Sequence, residues 1–372
     1  MNIAMSCAGE GFGHVSRLIS FAQALEARHD LVLFVPKSVQ HHIRRSLPGA
    51  KIVTIPYFHL VKREDRIDYP ATVRQNLSKA IRFRADVSAI RRTLAACGAA
   101  ALISDYDPYL PAAARSLGLP VLQISHPSIV LNSPSVLPDA LVAKAIAYAM
   151  SGRYDRRRIV SFYNGDIGPI LREELTRYPI SRGDYFVVYV KPTYRARVVS
   201  ELSKLGVPYR LFPNPREDYA QALAGCRGLI TSAGHQSLSE AVTLGKPVFA
   251  IPQRGQYEQR LNARMLVASG WGMKGRFSNL HKTLPAFIHQ VDSLPRADVH
   301  ASITGLGSEY PTAPEYRGPD GTRFRFTNDR DLAVEQIESF LAEYAGAGPV
   351  RRLFLNVQHT MAEAFAGHRH AG

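Results

Sequence analysis

Short apolar runs separated by amphipathic stretches recur along the chain in two series. The first is Ile3–Cys7, Leu31–Val35, Ile52–Ile55, Ala101–Ser104 and Val121–Ile124. Runs of that length, bounded by turn residues, predict buried strands. Between them, Val15–Arg28 and Asp107–Leu117 carry a helical period. A second series begins near residue 185, with strands expected at Tyr185–Val190, Tyr209–Phe212, Gly228–Thr231 and Pro247–Ile251. Its expected helices are Arg195–Leu205, Arg216–Ala224, Gln236–Leu244 and Glu258–Ala268. Strands alternating with helices imply parallel sheets covered on both faces. The fold class expected is therefore α/β, with two Rossmann-like, doubly wound domains.

The series are separated by a basic, irregular stretch from Arg153 to Gly183, which is read as the linker. The expected division is an N-terminal domain over 1–164, a C-terminal domain over 165–330, and closing helices over 331–372 that pack back on the N-terminal domain. Those helices are expected at Asp331–Tyr344 and Val350–Ala366. Residues 303–328, rich in Gly, Pro, Thr and Arg, read as a long loop.

A length of 372 residues suits two domains of about 150 residues each. No apolar run reaches the ~18 residues of a spanning helix, and the start lacks the basic region of a signal peptide. Three cysteines, Cys7, Cys97 and Cys226, form no CxxC pair, which argues against a zinc site or a disulfide framework and suits a reducing cytoplasm. The formal charge of +15 attracts anions: nucleotides, nucleic acid or acidic lipid. No RRM, KH or zinc signature accompanies it, and aromatics do not interleave with the basic residues. Nucleic acid is therefore not the expected partner.

Two segments carry candidate chemistry. After the first strand comes Ala8-Gly9-Glu10-Gly11-Phe12-Gly13-His14-Val15-Ser16-Arg17, opening a helix. Glycines there let the backbone approach a ligand closely. His14 stands at the carboxyl end of a parallel strand, where doubly wound folds place ligands. The spacing is neither that of a dinucleotide fingerprint nor that of a P-loop. The second segment runs from Gly228 to Leu266. There a strand leads through Ser232-Ala233-Gly234 into a helix whose first turn is Gly234, His235, Gln236 and Ser237. Free amides and small residues at that point suit a diphosphate. Glu240, one turn on, can accept both hydroxyls of a ribose, and a later loop presents Glu258-Gln259.

This second segment resembles the donor-binding region of GT-B glycosyltransferases. It is nearest the UDP-glycosyltransferase type and the lipid-linked N-acetylglucosaminyltransferase of peptidoglycan synthesis. Leu102-Ile103-Ser104-Asp105 and Asp166-Ile167-Gly168-Pro169-Ile170-Leu171-Arg172 extend the likeness to a microbial group within that superfamily. The resemblance implies two domains facing across a cleft and transfer of a sugar from a nucleotide sugar, of the UDP type, to a hydroxyl. It implies that Gly13, Ser232, Gly234, His235, Gln236 and Ser237 lie at the diphosphate, Glu240 at the ribose, and Glu258 and Gln259 at the donor sugar. Asn262 would orient the last helix. His14 would take the acceptor proton as general base, oriented by Asp105.

No cofactor beyond the nucleotide sugar is expected. Asp105-Tyr106-Asp107 has the spacing of a metal-binding DxD, but Asp107 before Pro108 reads as a helix N-cap, so no metal is expected. A second glutamate eight positions before Glu240, common in retaining relatives, is replaced by Ser232, which implies inversion. Arg17 reads either as a solvated helix residue or as a phosphate contact. The acceptor is expected against two elements: Tyr57–Arg92, and the apolar Leu137–Tyr148 followed by Arg153-Tyr154-Asp155-Arg156-Arg157-Arg158. An apolar stretch beside a basic cluster either rests on an anionic membrane or is a core helix followed by a solvated charge run. The location expected is cytoplasmic, peripheral to the inner face of the membrane. The rival readings are a nucleotide-sugar epimerase on the same fold and a basic nucleic-acid-binding protein.

Overall fold

The computed structural model describes residues 1–63, 66–294, 316–348, 351–352 and 354–358. The N-terminal unit runs β1 (Asn2–Cys7), α1 (Phe12–Leu25), β2 (Asp30–Val35), α2 (Gln40–Ser46) and β3 (Lys51–Thr54). A small hairpin follows, β4 (Lys62–Arg63) with β5 (Arg66–Ile67), then the long α3 (Tyr69–Ala96). After it come β6 (Ala101–Asp105), α4 (Tyr109–Ser116), β7 (Val121–Ser125), α5 (Pro138–Ser151) and β8 (Arg156–Ile159). The larger strands form one parallel sheet in the order β3-β2-β1-β6-β7-β8.

The second unit runs β9 (Phe186–Tyr189), α6 (Pro192–Lys204), β10 (Tyr209–Leu211), α7 (Tyr219–Gly225), β11 (Gly228–Thr231) and α8 (His235–Thr243). It continues with β12 (Val248–Ala250), α9 (Tyr257–Ala268), β13 (Gly272–Lys274) and α10 (Leu280–Gln290). Its parallel sheet has the order β10-β9-β11-β12-β13. A short hairpin, β14 (Tyr316–Arg317) with β15 (Arg323–Phe324), and α11 (Arg330–Tyr344) complete the described chain. The fold is thus the doubly wound α/β arrangement, present twice.

Side-chain alternation along the strands accounts for the layers. Ile3, Met5 and Cys7 of β1 face a core completed by Val15, Leu18, Phe21, Ala22 and Leu25, the apolar stripe of α1. Ala4 faces the opposite layer, with Ile90 and Leu94 of α3 and Leu110 and Ala113 of α4. In the second sheet, Val187, Leu229 and Val248 face α7, α8 and α9, while Phe186, Val188, Ile230 and Phe249 face α6 and α10. Strands buried on both faces read as continuous apolar runs, which is why the sequence exposes most of them.

β8 is the exception. Three arginines lie in it, and Arg156–Ile159 pairs in parallel with β7. The solvated charge run expected over Arg153–Arg158 is therefore corrected: Arg156 to Arg158 form an edge strand, half-buried under α11. Arg158 Nε donates to Gln336 Oε1 at 2.8 Å. The Arg156 guanidinium lies 5.8 Å from the Tyr344 ring centroid and 3.7 Å from Glu343. Ala333, Val334, Ile337, Phe340, Leu341 and Tyr344 of α11 enter the same core as α1. The linker expected from Arg153 thus starts with a strand.

The loop expected over 303–328 lies outside the described residues up to 315. Its remainder is the β14–β15 hairpin, packed by Tyr316, Phe324 and Phe326, with Trp271 against Phe326. The helix expected at Val350–Ala366 falls largely outside the described residues. Among the described residues, no helix is long and apolar enough to cross a membrane.

Candidate active site

Strand order reverses between β1 and β6 in the first sheet and between β9 and β11 in the second. Such reversals open a crevice at the carboxyl ends of the strands. Here both crevices face a single cleft of about 1600 Å3.

On the N-terminal side, Gly11 has φ 83°, in the left-handed region that glycine adopts without strain. The turn starts α1 so that His14 falls in its first turn, at the cleft wall. His14 Nδ1 lies 2.7 Å from Asp105 Oδ1. A carboxylate only accepts, so Nδ1 carries the proton and Nε2 is left bare as a base. Asp105, at the end of β6, is also held by Arg17, whose Nε donates to Oδ2 at 2.8 Å. Burial alone would raise the Asp105 pKa. The Arg17 and His14 interactions outweigh it and hold the carboxyl below its ordinary range. Arg17 is 2% exposed, so it is not a solvated residue: it lines the cleft and is the counter-charge of the orienting carboxylate.

Asp105-Tyr106-Asp107 is split in purpose. Asp107 accepts the amides of Tyr109 and Leu110 at 3.1 and 3.0 Å, capping α4, and burial pushes its pKa up to about 6. The helix itself begins at Tyr109, one residue later than the expected Pro108 start. Tyr106 sits at φ 62°, costly for a non-glycine residue, with its ring 5.7 Å from His14 and nearly parallel to it.

On the C-terminal side, α8 opens with Gly234, and no side chain caps its first turn. Gly13 lies against it: a Cβ built on Gly13 would meet Gln236 Cβ at 3.3 Å, so the two expected loops touch across the cleft. Gly234, Gln236 and Ser237 line the cleft as expected. Two other expected donor residues, His235 and Ser232, have side chains engaged within the protein. The His235 ring reaches the cleft wall, but it is buried and stacked on His126 at 3.6 Å, and its Nε2 accepts the Phe162 amide at 3.2 Å. Burial, with His126 and Arg17 nearby, drives its pKa well down, so the ring stays neutral. Ser232 does not line the cleft; its hydroxyl accepts the Lys191 amide at 3.3 Å.

Glu240 does line the cleft, yet it is 1% exposed and already paired. Arg172 grips it with two bonds, at 2.8 and 2.9 Å, and Gln236 Nε2 adds a third at 3.0 Å. The Arg172 guanidinium also lies 4.9 Å from the Tyr219 ring centroid. Glu258 faces the cleft, with burial raising its pKa and, opposing that rise, His14 when protonated and the Arg17 charge. Gln259 Oε1 accepts the Gln253 amide at 2.9 Å, which leaves its NH2 for a ligand. Asn262 ties α9 to the α8 loop through Ala233 O at 3.2 Å, an orienting role.

Sequence reasoning missed His126, Lys191 and the part played by Arg172. His126 lies just beyond the carboxyl end of β7, the same positional signal that singled out His14. Its Nδ1 donates to Val160 O at 3.0 Å, and burial pushes its pKa down to about 3. Arg172 was visible only as part of a matching segment.

Much of the wall between α3 and α5 is apolar. Val73, Ala80 and Phe83 of α3 and Val142, Ile146 and Met150 of α5 line it. Val73, Leu77 and Ile81 on α3, and Leu137 with Leu141, Val142 and Tyr148 of α5, are exposed around it. The hairpin side is closed by two contacts between the units, Ile67 N to Arg254 O at 3.2 Å and Tyr69 Oη to Gly255 O at 2.6 Å.

Comparison with known proteins agrees with this arrangement. The family description "Glycosyl transferase family 1" matches residues 1–292. An uncharacterized glycosyltransferase of Methanopyrus kandleri is 24% identical over 272 residues, covering 62% of this chain and 79% of its own. Phytolacca americana UGT2, solved with UDP-2fluoro-glucose and pterostilbene, superposes with a TM-score of 0.57 at 17% identity, over 82% of this chain and 95% of that one. Acinetobacter baumannii MurG superposes at 0.55 and 14% identity, over 91% and 99% of the two chains. The fold is that of the GT-B glycosyltransferases.

Proposed function

The chain belongs to glycosyl transferase family 1 and is a glycosyltransferase; from that premise we propose that it moves a sugar from a nucleotide sugar, of the UDP type, to a hydroxyl acceptor, with inversion and without a metal. The observation that carries this reading is the meeting of the two switch points in one cleft. A bare, carboxylate-oriented His14 Nε2 opens on one side, and the uncapped first turn of α8 opens on the other. His14 takes the acceptor proton as the acceptor oxygen displaces the nucleoside diphosphate in one step. The helix N-terminus meets the charge that develops on the leaving phosphate. Metal independence is supported by the separate employment of Asp105 and Asp107, each held by groups of its own.

A thermal-shift panel of nucleotides and sugar nucleotides tests the donor. A nucleoside diphosphate at ~100 times its dissociation constant should stabilise the fold by about 2.7 kcal/mol. Turnover should survive EDTA; complete loss restored by Mn²⁺ would reinstate the metal reading of Asp105-Tyr106-Asp107.

The acceptor in this reading has a substantial apolar part, lipid-linked or otherwise, held between α3 and α5. The exposed apolar residues of those helices stand beside Arg74, Arg82, Arg84 and Lys144, and we place that rim on the anionic cytoplasmic face of a membrane. Each basic residue near such a surface contributes about 1 kcal/mol. Sedimentation with acidic vesicles at low salt should recover the protein, neutral vesicles should not, and ~0.5 M NaCl should release it. Equal, negligible recovery with both vesicle types would point to a soluble acceptor instead.

A further inference from the structure

Lys191 follows β9 by two residues, at the point where the second sheet reverses its strand order. Its amide is tied to Ser232, directly below the loop that enters α8. Its ammonium reaches over the end of β11 to the Gln253 side-chain carbonyl beyond β12. The half-buried side chain lines the cleft with Gly234, Gln236 and Ser237. An ammonium has three donors; Gln253 takes one and carries no charge. Across the cleft the facing charges are Glu10 and Lys62, and these pair with each other at 3.1 Å. Among the described residues, no carboxylate is paired directly with Lys191. Burial, and next to it the Lys62 charge, push its pKa down to about 8, with Glu10 opposing. A cation held in this way between strand ends, beside an uncapped helix N-terminus, is arranged for an anion that arrives with a ligand.

We propose that Lys191 binds the β-phosphate of the donor nucleotide, gripping the diphosphate from the β9 side while the first turn of α8 holds it from the other. The inference rests on the second unit being the nucleotide-sugar domain. Lys191 then carries the charge compensation that a divalent metal supplies elsewhere, and it stabilises the diphosphate as it leaves. It is a point charge rather than a fork, so arginine should replace it in part and glutamine should not.

Calorimetry on the full chain tests this with UDP, dTDP and UMP. Lys191→Gln should weaken binding of whichever diphosphate the wild type binds by about 10–100-fold, the range of a hydrogen bond between charged groups. UMP binding should barely change, and Lys191→Arg should recover most of the diphosphate affinity. Because only the ammonium form attracts phosphate, wild-type diphosphate affinity should be full well below pH ~8 and fall as pH rises through it. The Lys191→Gln protein should lack that fall. Equal diphosphate binding by wild type and Lys191→Gln overturns the lysine assignment and leaves the donor domain standing. Equal weakening of UDP and UMP overturns the β-phosphate contact. If neither UDP nor dTDP binds the wild type, the donor reading fails and the lysine assignment fails with it.

Discussion

Replacing His14 with alanine is expected to lower turnover by roughly 10²–10⁴ while nucleotide binding persists. The split follows from where the residue stands. His14 belongs to the first sheet's crevice, whereas the diphosphate is expected at α8, in the second. Its ring donates to Asp105, within its own unit. Removing the ring takes away a proton acceptor without touching the α8 turn. Asp105→Asn should cost less turnover but more stability. An amide in place of the carboxylate can still accept the His14 proton bond, but it no longer balances Arg17, which is 2% exposed. An unpaired buried charge is costly, so the melting temperature should fall with the rate. Steady-state kinetics beside calorimetry separate the two effects, and near-normal turnover in His14→Ala would remove the histidine from the mechanism.

What could be read from the sequence followed burial on both faces. β1, β6, β7, β9 and β11 are largely apolar because helices cover both sides, and their ends fixed the positions of His14, Asp105 and the α8 turn in advance. β8 escaped for the opposite reason. It is an edge strand, and its arginines are accommodated by α11, which arrives from nearly two hundred residues away. No local pattern carries that information. The pairing of Arg172 with Glu240 was hidden in the same way, since a segment between the two sheets reaches into the donor crevice. His235 shows the limit of assigning a role by motif. Its place in the motif held, but its ring is committed to His126 and the Phe162 amide.

Glu240→Ala is expected to weaken nucleoside diphosphate binding by about 1.5–3 kcal/mol, the scale of hydrogen bonds to a charged group, and to lower stability as well. The second effect comes from Arg172. With Glu240 gone, its guanidinium keeps the Tyr219 ring, the charges of Glu174 and Asp218, and partial solvent contact. Arg172→Ala should be the more damaging partner change, because it leaves a carboxylate that is 1% exposed with Gln236 as its remaining donor, and removing the counter-charge of a buried carboxylate is strongly destabilising. Removing both should therefore cost less than the two losses added together, the signature of a coupled pair. The ribose role makes a separate demand. Glu240 Oε1 accepts from both Arg172 and Gln236, whereas Oε2 accepts from Arg172 alone. A carboxylate oxygen has two lone-pair sites, so Oε2 has room for one ribose hydroxyl without releasing Arg172. Wild type should then prefer UDP to 2′-deoxy-UDP or 3′-deoxy-UDP, and Glu240→Ala should lose that preference. Loss of stability with the preference intact would make Glu240 a brace for Arg172 and nothing more. Unchanged UDP binding in Glu240→Ala would place the donor away from α8 and overturn the assignment of the second unit.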